Sequence, residues 1–124
     1  MITYYTKEGK FESKRSRPIP YSKLHRVDGP AIEWSNGRKA WYINGKLHRE
    51  DGPAVEWKNV HKEWYVNGKL HRLDGPAVIW YDGEEEWWVN GEILNTIEVK
   101  AWIKDNNIDL KTKQHQSLFM LKFG

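Results

Sequence analysis

Apolar and polar residues alternate with a period of two through the middle of this chain. Ile32 and Trp34 fall on one side of an extended segment, and Ala31 and Glu33 on the other. The pattern returns in Val55 with Trp57 and in Val78 with Trp80. Turn residues follow, Asn36-Gly37 in the first case and Asp82-Gly83 in the third, each read as a two-residue hairpin turn. After the turn a second alternating segment places Trp41 with Ile43, Trp64 with Val66, and Trp87 with Val89. Asn-Gly ends each return strand, at Asn44-Gly45, Asn67-Gly68 and Asn90-Gly91. The pattern predicts three β-hairpins in series.

The hairpins are copies of one unit. The string Lys-Leu-His-Arg-x-Asp-Gly-Pro-Ala starts at Lys23, Lys46 and Lys69, a spacing of 23 residues. Units this short bury no core alone and must stack on their neighbours. Within each connector, Asp-Gly-Pro reads as a turn: Asp caps its own backbone, Gly accepts positive φ and Pro excludes helix. Stacking predicts one twisted antiparallel sheet. Its stripe would hold Trp34, Trp41, Trp57, Trp64, Trp80 and Trp87, with Tyr42, Tyr65 and Trp88 opposite among Glu and Lys. Trp57 and Trp64, in the central unit, are expected in the core, and Trp34 and Trp41 under thinner cover. Val60 stands where the other units have Gly37 and Gly83, and is expected at positive φ.

The ends differ from the repeats. Residues 1–22 read as a degenerate hairpin, from Tyr4 to Phe11, followed by a basic stretch with prolines. Past Gly91 the repeat decays. Asn95 with Glu98 makes a capping-box-like pair before a helix to about Asp105, and a second helix is expected from Thr112 to about Phe123. The expected fold is therefore mainly β: a single domain over 1–124, an antiparallel β-hairpin repeat in one sheet (23–91), an N-terminal cap hairpin (1–22) and two short C-terminal capping helices (92–124).

Composition sharpens this. Aromatic residues are 14% of the chain, with eight Trp, so a few large rings do most of the burying. Cysteine is absent, which excludes disulfides and thiolate metal sites. No apolar run approaches the ~20 residues that cross a bilayer, and the start does not resemble a signal peptide, so a cytoplasmic protein without membrane contact is expected. The net charge of +3 conceals an asymmetry. Residues 1–26 carry seven basic groups against Glu8 and Glu12, a net of +5, whereas 82–98 carry six acidic groups and no Lys or Arg. Such polarity steers partners or promotes head-to-tail association.

The candidate chemistry lies in the repeated His-Arg-x-Asp. Equivalent His residues one hairpin apart lie roughly 9–10 Å from each other, so His25, His48 and His71 cannot converge on one ion, and no metal or other cofactor is expected. Arg26, Arg49 and Arg72 can either read phosphates or pair with Asp28, Asp51 and Asp74 in a structural ladder. Identical strings at sites with the same local job favour the ladder. The Trp stripe is either a buried spine or, where two short helices leave it uncovered, a partner surface or homodimer face. Exposed Trp beside basic groups has hot-spot composition, which singles out Trp34, Trp41, Arg38 and Lys39. Tyr42, Tyr65 and Trp88, and the acidic run Glu84, Glu85 and Glu86, are the alternative surfaces. Lys14-Arg15-Ser16-Arg17 reads as a solvated loop or a nucleic-acid contact. No nucleophile elbow, phosphate loop or zinc-protease motif is present, so no catalytic residue is assigned.

The period, the hairpin units and the recurring Asn-Gly-Lys resemble MORN-type repeats. The string Leu-His-Arg-x-Asp-Gly-Pro-Ala followed by Trp-Tyr-x-Asn-Gly is similar to a MORN-like repeat of small proteins in large bacteriophages and other large viruses. The resemblance covers 23–91. It implies a non-enzymatic, phage-encoded protein–protein interaction module in the host cytoplasm, whose partner is a host or phage protein and which inhibits a host defence. The alternative is a binder of an anionic ligand, nucleotide or nucleic acid, through the repeat Arg residues and exposed aromatics.

Overall fold

Three-residue loops close the repeat hairpins, and that one residue decides which way half of the tryptophans face. The computed structural model describes residues 1–15, 18–58 and 60–124. An N-terminal hairpin of β1 (Ile2–Thr6) and β2 (Gly9–Ser13) precedes the repeats. The first unit contributes β3 (Ile32–Glu33), β4 (Arg38–Ala40) and β5 (Tyr42–Ile43). The second contributes β6 (Lys46–Leu47), β7 (Val55–Trp57), β8 (His61–Glu63) and β9 (Tyr65–Val66). The third contributes β10 (Lys69–Leu70), β11 (Val78–Ile79) and β12 (Glu85–Val89), followed by β13 (Glu92–Leu94), α1 (Thr96–Asp105) and α2 (Lys113–Phe123). Nine strands form one antiparallel sheet in the order β13-β12-β11-β8-β7-β4-β3-β1-β2, with β5–β6 and β9–β10 as separate two-stranded ribbons. The protein is thus mainly β, a hairpin-repeat sheet with two C-terminal helices.

In the first hairpin Ile32 lies opposite Ala40 and Glu33 opposite Lys39, so the loop is Ser35-Asn36-Gly37 with Gly37 at φ 92°. The third hairpin matches it, with Val78 opposite Glu86 and Gly83 at φ 90°. A two-residue turn at Asn36-Gly37 would instead set Ile32 opposite Trp41. A slip of one residue moves every side chain of the return strand to the other face. The expected single stripe is therefore split. Trp34, Trp57 and Trp80 share a face with Ala40, Glu63 and Glu86, and through the i, i+2 rule with Tyr42, Tyr65 and Trp88. Trp41, Trp64 and Trp87 lie on the reverse face, with Ala31, Ala54 and Ala77 fully buried beside them. The two-residue turns are the Asn-Gly pairs at the ends of the return strands, where Ile43 pairs with Lys46, Val66 with Lys69 and Val89 with Glu92. Asn44, Asn67 and Asn90 are at φ 49–50° there, followed by Gly at φ 77–82°. Both residues in the left-handed region is the type I′ pattern.

The second hairpin departs from its siblings. Val60 N–H bonds the Trp57 carbonyl at 3.0 Å, as Gly37 bonds Trp34, but the left-handed residue is Lys58, at φ 52°. Strain of the kind expected at Val60 is thus found at Lys58, two positions earlier; Asn59 between them, through which the φ of Val60 is defined, lies outside the described residues.

A second hydrogen-bonded row closes each 23-residue unit on itself. Gly45 N–H donates to the Leu24 carbonyl, Gly68 to Leu47 and Gly91 to Leu70, at 2.8–2.9 Å. The ribbon residues Tyr42 and Leu47 pack with Tyr4, Leu24, Ile32, Ala40 and Val55 in the first core. At the N-terminal end Tyr5 replaces a repeat Trp: its N–H bonds Ala31 and its carbonyl accepts His25, just as Trp41 bonds Ala54 and His48. At the C-terminal end Asn95 caps α1 by accepting the Glu98 N–H, and Thr112 caps α2 by accepting the His115 N–H. The helices place Val99 and Phe119, and the loop between them Leu110, on Trp87 and Val89, forming the second core.

Candidate interaction surface

The connectors hold several of the candidate residues in contacts of their own. Arg49 donates from Nε to Asp51 at 3.1 Å and from Nη1 to the Pro53 carbonyl at 3.0 Å, and its guanidinium carbon lies 3.9 Å from the Trp41 ring centre. Arg72 repeats this with Asp74, Pro76 and Trp64, and Arg26 with Asp28, Pro30 and Tyr5. The ladder pairs are therefore within one unit, while the aromatic partner comes from the preceding one. Gly29, Gly52 and Gly75 are absent from the left-handed region, contrary to their expected role. A Cβ on Gly52 would lie 2.9 Å from the Arg49 guanidinium carbon, so these glycines leave room for the Arg. His25, His48 and His71 each accept on Nδ1 the backbone N–H of Asn44, Asn67 and Asn90, at 2.9–3.0 Å, fixing the type I′ turn of their own unit. Burial lowers the His71 pKa below its ordinary value.

The other candidate residues scatter. Trp41 is covered by Arg49, and Tyr42 is buried edge-on to Tyr21 at 6.0 Å. Trp34 is half-buried with Arg38 at 4.8 Å, and Lys39 sits on the reverse face, opposite Glu33 and Glu56. The acidic run is not one surface. Glu84 is exposed, Glu85 pairs with Lys100 of α1 at 3.0 Å, and Glu86 turns to the opposite face. Ser16 and Arg17 of the basic run lie outside the described residues.

What the geometry assembles instead is an aromatic row on the face shared by Trp34, Trp57 and Trp80. Trp57 is 42% exposed, although the central unit was expected to bury it, and Trp80 is 38% exposed. The helices leave this face open, since they pack on Trp87 and Val89 on the reverse face. Lys58 approaches the Trp57 ring at 5.9 Å, and His61 packs on Trp80 at 4.9 Å. Two half-buried carboxylates hold the row from within. Glu63 accepts from the Tyr65 hydroxyl at 3.0 Å and contacts His61 Nε2 at 2.6 Å. Glu86 accepts the indole N–H groups of Trp80 and Trp88, at 2.7 and 2.9 Å. Burial, then the Glu63 charge, pushes the Tyr65 phenol well above its ordinary pKa, so it stays a donor. Trp80, Trp88 and Tyr65 are thus held in place by hydrogen bonds within the fold. Sequence reasoning missed Trp57 because it took a central unit to mean cover, and it did not single out Trp80 within the stripe. Among the described residues no helix is long and apolar enough to cross a membrane.

Comparison with known proteins finds no matching family model, no matching curated protein and no matching solved structure.

Proposed function

We propose that the chain is a non-enzymatic, MORN-like interaction module that contacts a host or phage protein through the Trp34–Trp57–Trp80 row. The observation that carries this reading is the pair Trp57 and Trp80, both exposed on one sheet face, with Trp80 pinned by the Glu86 hydrogen bond and the His61 ring and Trp57 beside Lys58. Exposed, immobilised aromatics beside a cationic group have hot-spot composition and lose little side-chain entropy on binding. The repeat Arg residues support it from the other side. Each is already committed to a carboxylate, a carbonyl and a ring, and reading a phosphate would break those contacts.

The test is capture from host lysate by wild-type protein and by a Trp57→Ser/Trp80→Ser variant with matched melting temperature. A species retained by the wild type and lost by the variant supports the reading. Equal capture by both moves the contact surface elsewhere.

A further inference from the structure

The repeats allow one unit to be checked against another for a missing part. Trp34 and Trp80 occupy the same position in matched hairpins: each N–H bonds the carbonyl four residues on, Arg38 at 2.9 Å and Glu84 at 2.8 Å, around Gly37 and Gly83. In the first unit that residue is Arg38, and its guanidinium covers the Trp34 ring. In the third it is Glu84, exposed and turned to solvent. Trp41, Trp57 and Trp64 have Arg49, Lys58 and Arg72 over them, and Trp87 has Phe119. Among the described residues no Arg or Lys lies over Trp80. Its inner neighbour is His61, and its indole N–H is held by Glu86.

Glu86 has the matching deficit. Both its oxygens accept from neutral indoles, and among the described residues no cation pairs with it, whereas Glu85 beside it has Lys100. A carboxylate offers about four lone-pair sites, so Glu86 can take a guanidinium while keeping both indoles. Glu84 stands on the same face at the rim, in a segment, 82–98, with no basic residue.

We propose that Trp80, Glu84 and Glu86 form a seat for an arginine side chain presented by a basic segment of a partner protein. This rests on the reading of the aromatic row as a contact surface and names the chemistry that one end of it recognises. The guanidinium would stack on the Trp80 ring as Arg38 does on Trp34, and donate to the Glu86 and Glu84 carboxylates. The contact is an ion pair at a partly exposed site, so it weakens with salt.

The experiment follows the indole N–H signals of Trp80 and Trp88 by two-dimensional NMR of the full chain during titration with an end-blocked tri-arginine peptide, with a tri-glutamine peptide as reference. Tri-arginine should shift both signals saturably, with affinity falling about tenfold in Glu86→Gln and also falling as salt is raised. Glu84→Arg, at an exposed position that leaves the fold alone, should fill the seat from within and abolish the response. Unmoved signals in the wild type, or a Glu84→Arg variant that responds like the wild type, would overturn the proposal. If the peptide fails while the Trp57→Ser/Trp80→Ser variant still loses its captured species, the row remains a contact surface and only the arginine seat falls. A Trp80 shift that tracks protein concentration without peptide assigns the seat to the basic N-terminal segment of a second copy, and this too overturns it.

Discussion

Replacing Arg49 by Ala removes four contacts of unequal weight, one of them a long 3.7 Å ion pair with the half-buried Glu56. The ion pair with Asp51 is the weakest, since the Asp51 side chain is 89% exposed; such pairs contribute about 0–1 kcal/mol. The bond to the Pro53 carbonyl matters more. Pro53 is buried, and an acceptor left without its donor costs about 1–3 kcal/mol. The guanidinium also covers the Trp41 ring, which adds about 0.5–2 kcal/mol. These contributions overlap, so the expected loss is about 2–4 kcal/mol. Arg49→Lys should lose nearly as much, because an ammonium keeps the charge but neither the fork nor the flat face. Asp51→Ala should lose less than about 1 kcal/mol. Urea unfolding of the three variants measures this, and with a slope of about 1–3 kcal/mol/M the Arg49→Ala midpoint should fall by about 1–2 M. The reasoning fails if Asp51→Ala costs as much as Arg49→Ala, for the ion pair would then carry the ladder. It also fails if Arg49→Lys is neutral.

Three further outcomes follow from the same geometry. Gly52→Ala pushes a Cβ to 2.9 Å from the Arg49 guanidinium carbon, so it should cost about 1–3 kcal/mol in the wild type and little in an Arg49→Ala background; equal costs in both would separate the two sites. Lys58→Gly relieves a left-handed Lys and should raise stability by about 0.5–1 kcal/mol, whereas Val60→Gly should bring no gain, and paired thermal melts read both. Burial holds the His71 pKa below 6.5 in the fold, so its neutral form stabilises the protein above that pH, and this stability is lost as pH falls through the lowered folded value. A melting temperature unchanged from about pH 7.5 to about pH 5 would contradict that, since a protonated Nδ1 cannot accept the Asn90 N–H.

Much of this architecture was legible because it rests on local rules repeated three times. The 23-residue period, the Asn-Gly turns, both helix caps and the Arg–Asp pairing each depend on residues a few positions apart. The side on which Trp41, Trp64 and Trp87 lie was not legible, because it turns on whether Ser35 belongs to the strand or to the loop. Asn36-Gly37 suits a two-residue turn and a three-residue loop almost equally well, and the choice reverses the return strand. A separate assumption shaped the candidate site: a central position was taken to mean cover, which hid Trp57, and the thin N-terminal cap brought Trp41 forward. The role of Gly52 was hidden for a different reason. Asp-Gly-Pro describes a turn well enough, and nothing in the string says that a guanidinium must pass over the glycine.

Both ends of the array carry a substitute for the neighbour they lack: Tyr5 under Arg26, and Phe119 against Trp87. Neither substitute senses how many units lie between. Each unit offers the next the same Trp N–H for an Ala carbonyl, Trp41 to Ala54 and Trp64 to Ala77, and the same ring for an Arg. Array length is therefore a variable that the fold leaves free. A second copy of residues 46–68 spliced in after Gly68 would widen the sheet by two strands, roughly 9–10 Å, and leave both caps as they are. A family of such chains would present contact faces of graded width from a single set of end pieces.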